Sequence, residues 1–388
     1  MAVLRRASRF SSGIIACWPA IAVTHRILQI IATLDRAGAE KQLVTLAQGL
    51  RRRDYDVHVC ALTRGGPLEE DLASCGIPTH IIGKQAKFDP WAYWKLRTLI
   101  KDVQPSVVHT WMFTANAYGR TAALGAGVPH IVASERCVDP WKSSWQFAID
   151  RHLAKQTDRI VVNSSGVQRF CTQHGIAREK ISIIHGAASL MNVGHHNRQA
   201  FLQSLGLDDS VTLIGSVARL WPQKRVKDLI WAIDQLSFFR KNVHLVIAGD
   251  GPQRSRLEQY ARELEVEHLI HFLGHRDDIP QILPLFDILW LGSEYEGLPN
   301  SIMEGMLAGL PVVATDIPGN RDLVIHGETG YLTSVGSPPK RVRFTERLLA
   351  DPCMARNMGL QGRKRAEEHF SVQEMVDKHV ALYDSLLF

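Results

Sequence analysis

The chain is poor in cysteine, and none of its cysteines is paired in sequence. The six (Cys17, Cys60, Cys75, Cys137, Cys171 and Cys353) are scattered, with no C-x-x-C spacing and no histidines at zinc-binding intervals. That pattern argues against a disulfide-stapled scaffold and a structural zinc module, and reads as reduced, mostly buried thiols of a cytosolic protein. One adjacent histidine pair, His195-His196, sits in a polar stretch that reads as solvated linker rather than metal site. There is no short-period repeat and no low-complexity tract. Long apolar runs are missing too. Gly13 to Val23 is eleven residues long and contains Trp18-Pro19, whereas a membrane-spanning helix needs about 20. Arg5, Arg6 and Arg9 before it and Ala20-Ile21-Ala22 near its end outline a signal peptide. The first strand pattern starts at once, at Arg26, so residues 1–25 are expected to be an N-terminal extension without fixed structure.

What remains is an ordinary globular composition, 45% hydrophobic and 22% charged over 388 residues. That length exceeds one core and suits two domains. Arg26 to Thr33 reads as a first strand, followed by an amphipathic helix to Arg53. Strands at Val57–Thr63, Thr79–Ile82, Val107–Thr110, Ile131–Ser134 and Ile160–Asn163 alternate with helices over Pro90–Val103 and Asn116–Leu124. Strands alternating with helices of about a dozen residues imply parallel βαβ units. The pattern lapses over 185–208 and then resumes, with strands at Val211–Val217, Val243–Ala248 and His271–Leu273 and helices at Val226–Leu236 and Gln253–Glu263. The expectation is therefore an α/β protein of two Rossmann-like doubly wound domains, 26–190 and 209–370, joined by a linker at 191–208. A last helix, 371–388, carries an apolar stripe of Val372, Met375, Val376, Val380, Tyr383 and Leu387.

The most informative stretch is Asp287 to Asp316. Ile288–Leu291 reads as a buried strand, Gly292-Ser293 opens a loop, and Pro299-Asn300-Ser301 signals a helix start. Gly309 ends that helix, and Pro311–Ala314 returns as a strand. Loops at the carboxyl ends of parallel strands are where open α/β folds place ligands, and free amides at a helix start favour an anion. Glu296 lies in the loop and Glu304 in the first helical turn, with seven residues between them. Ser301 and Glu304 also match a capping box, which would make Glu304 structural. Upstream, Arg219 follows a strand and Lys224 precedes a helix; the former can chelate two phosphate oxygens and the latter acts as a point charge.

The string EGLPNSIME, with Arg-Leu-x-x-x-Lys at 219–224 and Ala248-Gly249-Asp250-Gly251-Pro252, resembles the retaining glycosyltransferases of family 4 and their E-x7-E motif. The resemblance covers about residues 25–388. It implies the GT-B arrangement, with the ligand in a cleft between the domains and the final helix packed back on the first. It implies a nucleotide diphosphosugar donor and no cofactor. Arg219 and Lys224 would hold the diphosphate, Glu296 the sugar, and Glu304 the ribose. Gly297, Leu298, Pro299 and Asn300 would line the donor site, while Gly38 would let backbone approach it from the other domain. His109, closing the strand VVHT, would stand near the donor sugar, with Arg136 a further cleft residue. Four departures stand out: Ala37 for a first glycine, Arg225 for the usual Gly after Lys224, and His185 and Ala188 within Ile184-His185-Gly186-Ala187-Ala188. Asp54-Tyr55-Asp56 spells a metal-binding D-x-D, but it sits between a helix and a strand, and two cations are already available, so no metal is expected. A GT-B nucleotide-sugar epimerase and a non-catalytic sugar-nucleotide-binding partner in polysaccharide assembly are the alternatives.

Charge is uneven. Residues 1–190 hold 24 Lys+Arg against 14 Asp+Glu, and the rest 21 against 25, giving +10 and −4 of the total +6. No nucleic-acid motif accompanies the excess. Lys84, Lys87, Lys95, Arg97, Lys101 and Lys142 interleave with Phe88, Trp91, Tyr93, Trp94, Trp141 and Trp145. Either these aromatics pack in the core, or the face makes reversible contact with anionic lipid. The second reading places a cytoplasmic enzyme at the inner membrane face, facing a glycan or lipid-linked acceptor for surface polysaccharide or glycolipid.

Overall fold

A computed structural model describes residues 25–189 and 197–388. The N-terminal extension, apart from His25, and the His195-His196 pair lie outside the described residues. Seven parallel strands form the first sheet: β1 (Arg26–Thr33), β2 (Asp56–Arg64), β3 (Thr79–Ile81), β4 (Val107–Trp111), β5 (His130–Glu135), β6 (Arg159–Val162) and β7 (Ile181–Ile183), in the order β3-β2-β1-β4-β5-β6-β7. The order reverses between β1 and β4, the switch point of a doubly wound sheet. Every residue of β4 is buried, because helices cover both faces of a parallel sheet and its strands become continuous apolar runs.

The covering helices are α1 (Gly38–Arg51), α2 (Leu68–Ala73), α3 (Pro90–Val103), α4 (Met112–Ala126), α5 (Ser144–Ala154) and α6 (Ser165–Gln173). Each start has a local cause where the sequence supplies one. Asp89 accepts from Ala92 N at 3.0 Å with Pro90 at the first helical position of α3, and Ser164 caps α6. Both are ordinary N-cap chemistry.

The second sheet has six parallel strands: β8 (Thr212–Val217), β9 (Val243–Ala248), β10 (Ile270–Gly274), β11 (Ile288–Leu291), β12 (Val312–Thr315) and β13 (Gly330–Thr333), ordered β10-β9-β8-β11-β12-β13. Its helices are α7 (Arg198–Ser204), α8 (Val226–Ser237), α9 (Arg254–Glu263), α10 (Ile279–Ile282), α11 (Asn300–Leu307), α12 (Pro318–Leu323), α13 (Pro338–Ala350) and α14 (Pro352–His369). Helix α7 corrects the linker expected at 191–208. Asn197 caps it, and Leu202 is buried in the second domain's core with Leu213 and Phe286.

The last helix, α15 (Val372–Leu387), starts from a Ser371 cap and joins the first domain. Met375, Val376, Leu382 and Tyr383 share a core with Leu43, Leu46 and Leu50 of α1. The chain thus crosses between domains twice, once near residue 190 and again at Phe370, whose carbonyl accepts from Ala188 N at 3.1 Å.

The carboxyl edges of the two sheets face each other across a closed cleft. Arg36 pairs with Asp277 at 3.0 Å across it. Asp322, at the far end, accepts from both the backbone N and the hydroxyl of Ser165, each at 2.6 Å.

Candidate functional site

The loop between β11 and α11 holds the centre of the cleft. Pro299 stands at the N-cap of α11 with no side-chain cap, so Ser301 and Glu304 do not form the capping box their spacing allows. Glu304 is half-buried, and burial raises its carboxyl above the ordinary range, eased only by the charge of Lys41. A carboxylate held there with no ion pair among the described residues is poised for a hydrogen-bonding ligand. Glu296 is buried, and its Oε1 receives the Lys224 ammonium. Lys224 closes a short 3-10 turn, Pro222–Lys224, just before α8. The side chain of Gln223 donates to the Tyr295 carbonyl at 2.7 Å, tying the two loops together.

Arg219 is exposed at the end of β8, its guanidinium 5.9 Å from the Trp221 ring. It is held there by the turn after β9. Gly249 has φ +147°, and a Cβ on it would stand 2.0 Å from the Ala218 carbonyl oxygen, so only glycine lets this turn approach the Arg219 loop. Arg225, where glycine is usual, takes a left-handed φ of 48°. Its guanidinium turns back to Asp228 of its own helix at 2.7 Å.

The first domain supplies the opposite wall. Asn300 Nδ2 donates to the Gly38 carbonyl at 3.4 Å, and Gln42 Nε2 reaches Asn300 Oδ1 at 3.4 Å. Gln42 also bonds both backbone groups of Ala187, so the crossing segment is clamped to the base of α1. A Cβ on Gly297 would lie 1.9 Å from the Arg136 carbonyl oxygen and 2.8 Å from Asn163 Nδ2. Leu298 and Pro299 are buried and brace this loop. Beside Gly38 opens a cavity of about 600 Å³, lined by Asp35, Arg36, Ala37, Pro67, His275 and Asp277. Burial raises the Glu40 carboxyl, and the charge of Arg219, across the cleft, acts against that rise.

Gly38, Arg219, Lys224, Glu296, Gly297, Asn300 and Glu304 are therefore brought around one cleft. His109 is not. Its ring is fully buried, with Nδ1 2.6 Å from Tyr383 Oη and Nε2 2.8 Å from Ser134 Oγ. Burial holds it well below the usual imidazole range. A neutral imidazole with both nitrogens engaged pins α15 to the sheet, and the expectation of a cleft-facing histidine is corrected. Asp56 of the D-x-D is taken by Arg26 Nε at 2.6 Å.

Two groups of the β5–α5 loop, Cys137 and Asp139, went unread in the sequence because only tertiary contact brings them to the site; a third, Arg136, is the further cleft residue that the resemblance implies. Arg136 is buried over the Trp111 ring with Nη1 unpartnered, and burial lowers it to about 10. Burial lifts the Cys137 thiol to about 12, with Asp139 and Glu296 adding to the rise and Lys224 opposing it. Asp139 is buried, and burial raises its carboxyl as well.

Residues 36–190 match the model of Glycosyltransferase Family 4, and residues 197–365 match that of Glycosyl transferases group 1. The chain is 29% identical over 182 residues to N-acetyl-alpha-D-glucosaminyl L-malate synthase of Bacillus anthracis, covering 47% of this chain and 48% of that one. It is 26% identical over 381 residues to an Escherichia coli UDP-Gal:alpha-D-GlcNAc-diphosphoundecaprenol alpha-1,3-galactosyltransferase, covering 89% and 96%. Among solved structures, Anabaena HepE in complex with UDP and glucose superposes with a TM-score of 0.84 at 23% identity, over 93% of this chain and all of that one. Two facing Rossmann-like domains, and family models that follow one another along the chain, make this protein a family 4-type glycosyltransferase with the GT-B fold.

Proposed function

We propose that the chain transfers a glycosyl group from a nucleotide diphosphosugar to an acceptor hydroxyl, with retention of anomeric configuration and without a metal. The observation that carries this reading is the convergence of Arg219, Lys224, Glu296 and Glu304 opposite Gly38 in one closed cleft. Cleaving the bond from the anomeric carbon to phosphate leaves its electron pair on the diphosphate. Fixed cations aimed at that growing charge stabilise the transition state more than the ground state. Arg219 and Lys224 supply them. Glu304 accepts from the ribose hydroxyls, and Glu296, oriented by Lys224, accepts from the donor sugar. Glu296 is engaged by that ammonium, which argues against a role as nucleophile. The acceptor oxygen then attacks from the face the diphosphate leaves, and its proton passes to the departing phosphate oxygen.

The acceptor is proposed to be a glycan or lipid-linked saccharide, as in the relative that acts on GlcNAc-diphosphoundecaprenol. Exposure supports approach to an anionic membrane. Phe88, Trp91 and Trp94 are 85%, 79% and 55% exposed, so they do not pack in the core. Lys87, Lys95 and Lys101 lie exposed among them, while Lys84 and Lys142 are buried and leave the patch. No helix among the described residues is long and apolar enough to cross a membrane. Titration calorimetry of the full chain with UDP, GDP and ADP in EDTA tests the donor site. Saturable binding of one of them, weakened at least tenfold in Glu304→Ala, is expected; no binding of any would overturn the reading. Co-sedimentation with anionic vesicles at low salt, lost in Trp91→Ser/Trp94→Ser, tests the membrane contact. A folded protein that stays in the supernatant rejects it.

A further inference from the structure

A second group of exposed aromatics is separate from α3 and differs from it in charge. Phe113 is the second residue of α4, and Trp141 and Trp145 flank Ser143, the N-cap of α5. In a parallel sheet the helix starts lie at the carboxyl edge of the strands, which here is the edge facing the Glu296 loop. Trp141 and Trp145 are 60% and 61% exposed. Each meets Phe113 at 6.4 Å with rings at 89° and 74°, so the indoles touch it edge to face and both keep a free face.

Beneath them is a buried ionic cluster with more acid than base. Lys142 Nζ lies 3.4 Å from Glu135, 3.7 Å from Asp139 and 3.1 Å from Asp150, while Arg120 pairs with Asp150 at 2.9 Å. Three carboxylates thus share two cations. Asp139 Oδ2 is buried and makes only the long 3.7 Å contact to Lys142 Nζ, which leaves it able to accept from a further donor. The cluster adjoins the donor loop. Burial first, then charges that include Cys137, Asp139 and Glu296, raise the Tyr295 hydroxyl.

We infer that Phe113, Trp141 and Trp145 form a stacking platform for a pyranose ring of the acceptor, with Asp139 accepting from its hydroxyls. This rests on the glycosyltransferase reading above and names the acceptor's contact. A pyranose has an apolar C–H face bordered by hydroxyls. It fits the electron-rich face of an indole beside a carboxylate that can accept a further hydrogen bond. An anionic lipid surface does not, because the backing charge here is negative, in contrast to the lysines around Trp91 and Trp94.

The test uses the full chain labelled with 5-fluorotryptophan, with resonances assigned through Trp141→Phe and Trp145→Phe. UDP is added first, then the methyl glycosides of glucose, galactose, mannose and N-acetylglucosamine, and separately vesicles containing phosphatidylglycerol. At least one glycoside is expected to move the Trp141 and Trp145 signals with UDP bound, and to bind about tenfold more weakly to Asp139→Asn. If UDP itself fails to bind, the donor-site reading falls. If UDP binds but no glycoside moves either signal, or vesicles move them instead, the platform is overturned and the donor site stands.

Discussion

Adding one methyl at Gly297 separates folding from closure. In Gly297→Ala the new carbon would sit 1.9 Å from the Arg136 carbonyl oxygen, 2.7 Å from its carbon and 2.8 Å from Asn163 Nδ2. All three atoms belong to the other domain, and two are backbone. Neither domain's own core is touched, so each should keep its stability to within about 0.5 kcal/mol, as for changes outside the core. Real Cβ atoms do not approach closer than 3.0 Å, so the closed arrangement must open by more than an ångström at this point. Overpacking of this kind costs about 1–3 kcal/mol, which is about 5- to 150-fold in the closed population. Steady-state transfer, measured as nucleotide diphosphate release, should fall by that factor. Nucleotide affinity should fall less, because Arg219, Lys224 and Glu304 stay in place. Small-angle scattering should show a larger radius of gyration with ligand bound. Wild-type turnover in the folded variant would refute the claim that the Gly297–Arg136 contact belongs to the working geometry.

Arg219→Ala and Lys224→Ala should each cut transfer about 100-fold or more, the scale of one lost transition-state contact, while circular dichroism and melting temperature hold. Glu304→Gln should weaken nucleotide binding yet raise thermal stability as pH rises above the ordinary carboxylate range. The folded carboxyl is raised by burial, so the wild type loses stability as pH climbs from about 4.3 through the folded value, and the amide removes that loss; melts at pH 5 and 7.5 read it. His109→Ala should destabilise by about 3 kcal/mol through its broken buried bonds to Tyr383 and Ser134, with turnover per folded molecule within twofold. A catalytic collapse at unchanged stability would restore His109 to the site.

The fold was largely legible because parallel strands buried on both faces give short apolar runs, and these marked β1, β4, β9 and β11 almost to the residue. Polar elements escaped. α6 and α12 are short and meet each other across the cleft, so their reason for forming is in the other domain. α7 looked like linker because its only buried residue is Leu202. Within the site, residues placed by local chain geometry were readable, Lys224 before a helix and Glu296 after a strand; Glu304, expected in the first turn, is the fifth residue of α11 because that helix starts at Asn300. His109 misled because a strand-end position says nothing about which way the ring turns, and Tyr383, 274 residues away in sequence, decides it. Arg136 was legible only through the resemblance, and Cys137 and Asp139 had no signal at all, because a loop becomes a cleft wall only when the second domain closes on it.

The central claim is retaining, metal-free transfer from a nucleotide sugar in this cleft. Proton NMR of the purified full chain with α-linked nucleotide sugars, in EDTA, tests it most directly by following the anomeric signal as nucleotide diphosphate appears. The account predicts that at least one donor is consumed and that the first product, glycoside or free sugar, is the α-anomer. A first-formed β-anomer, or turnover that stops on chelation and returns with a divalent metal, would contradict it.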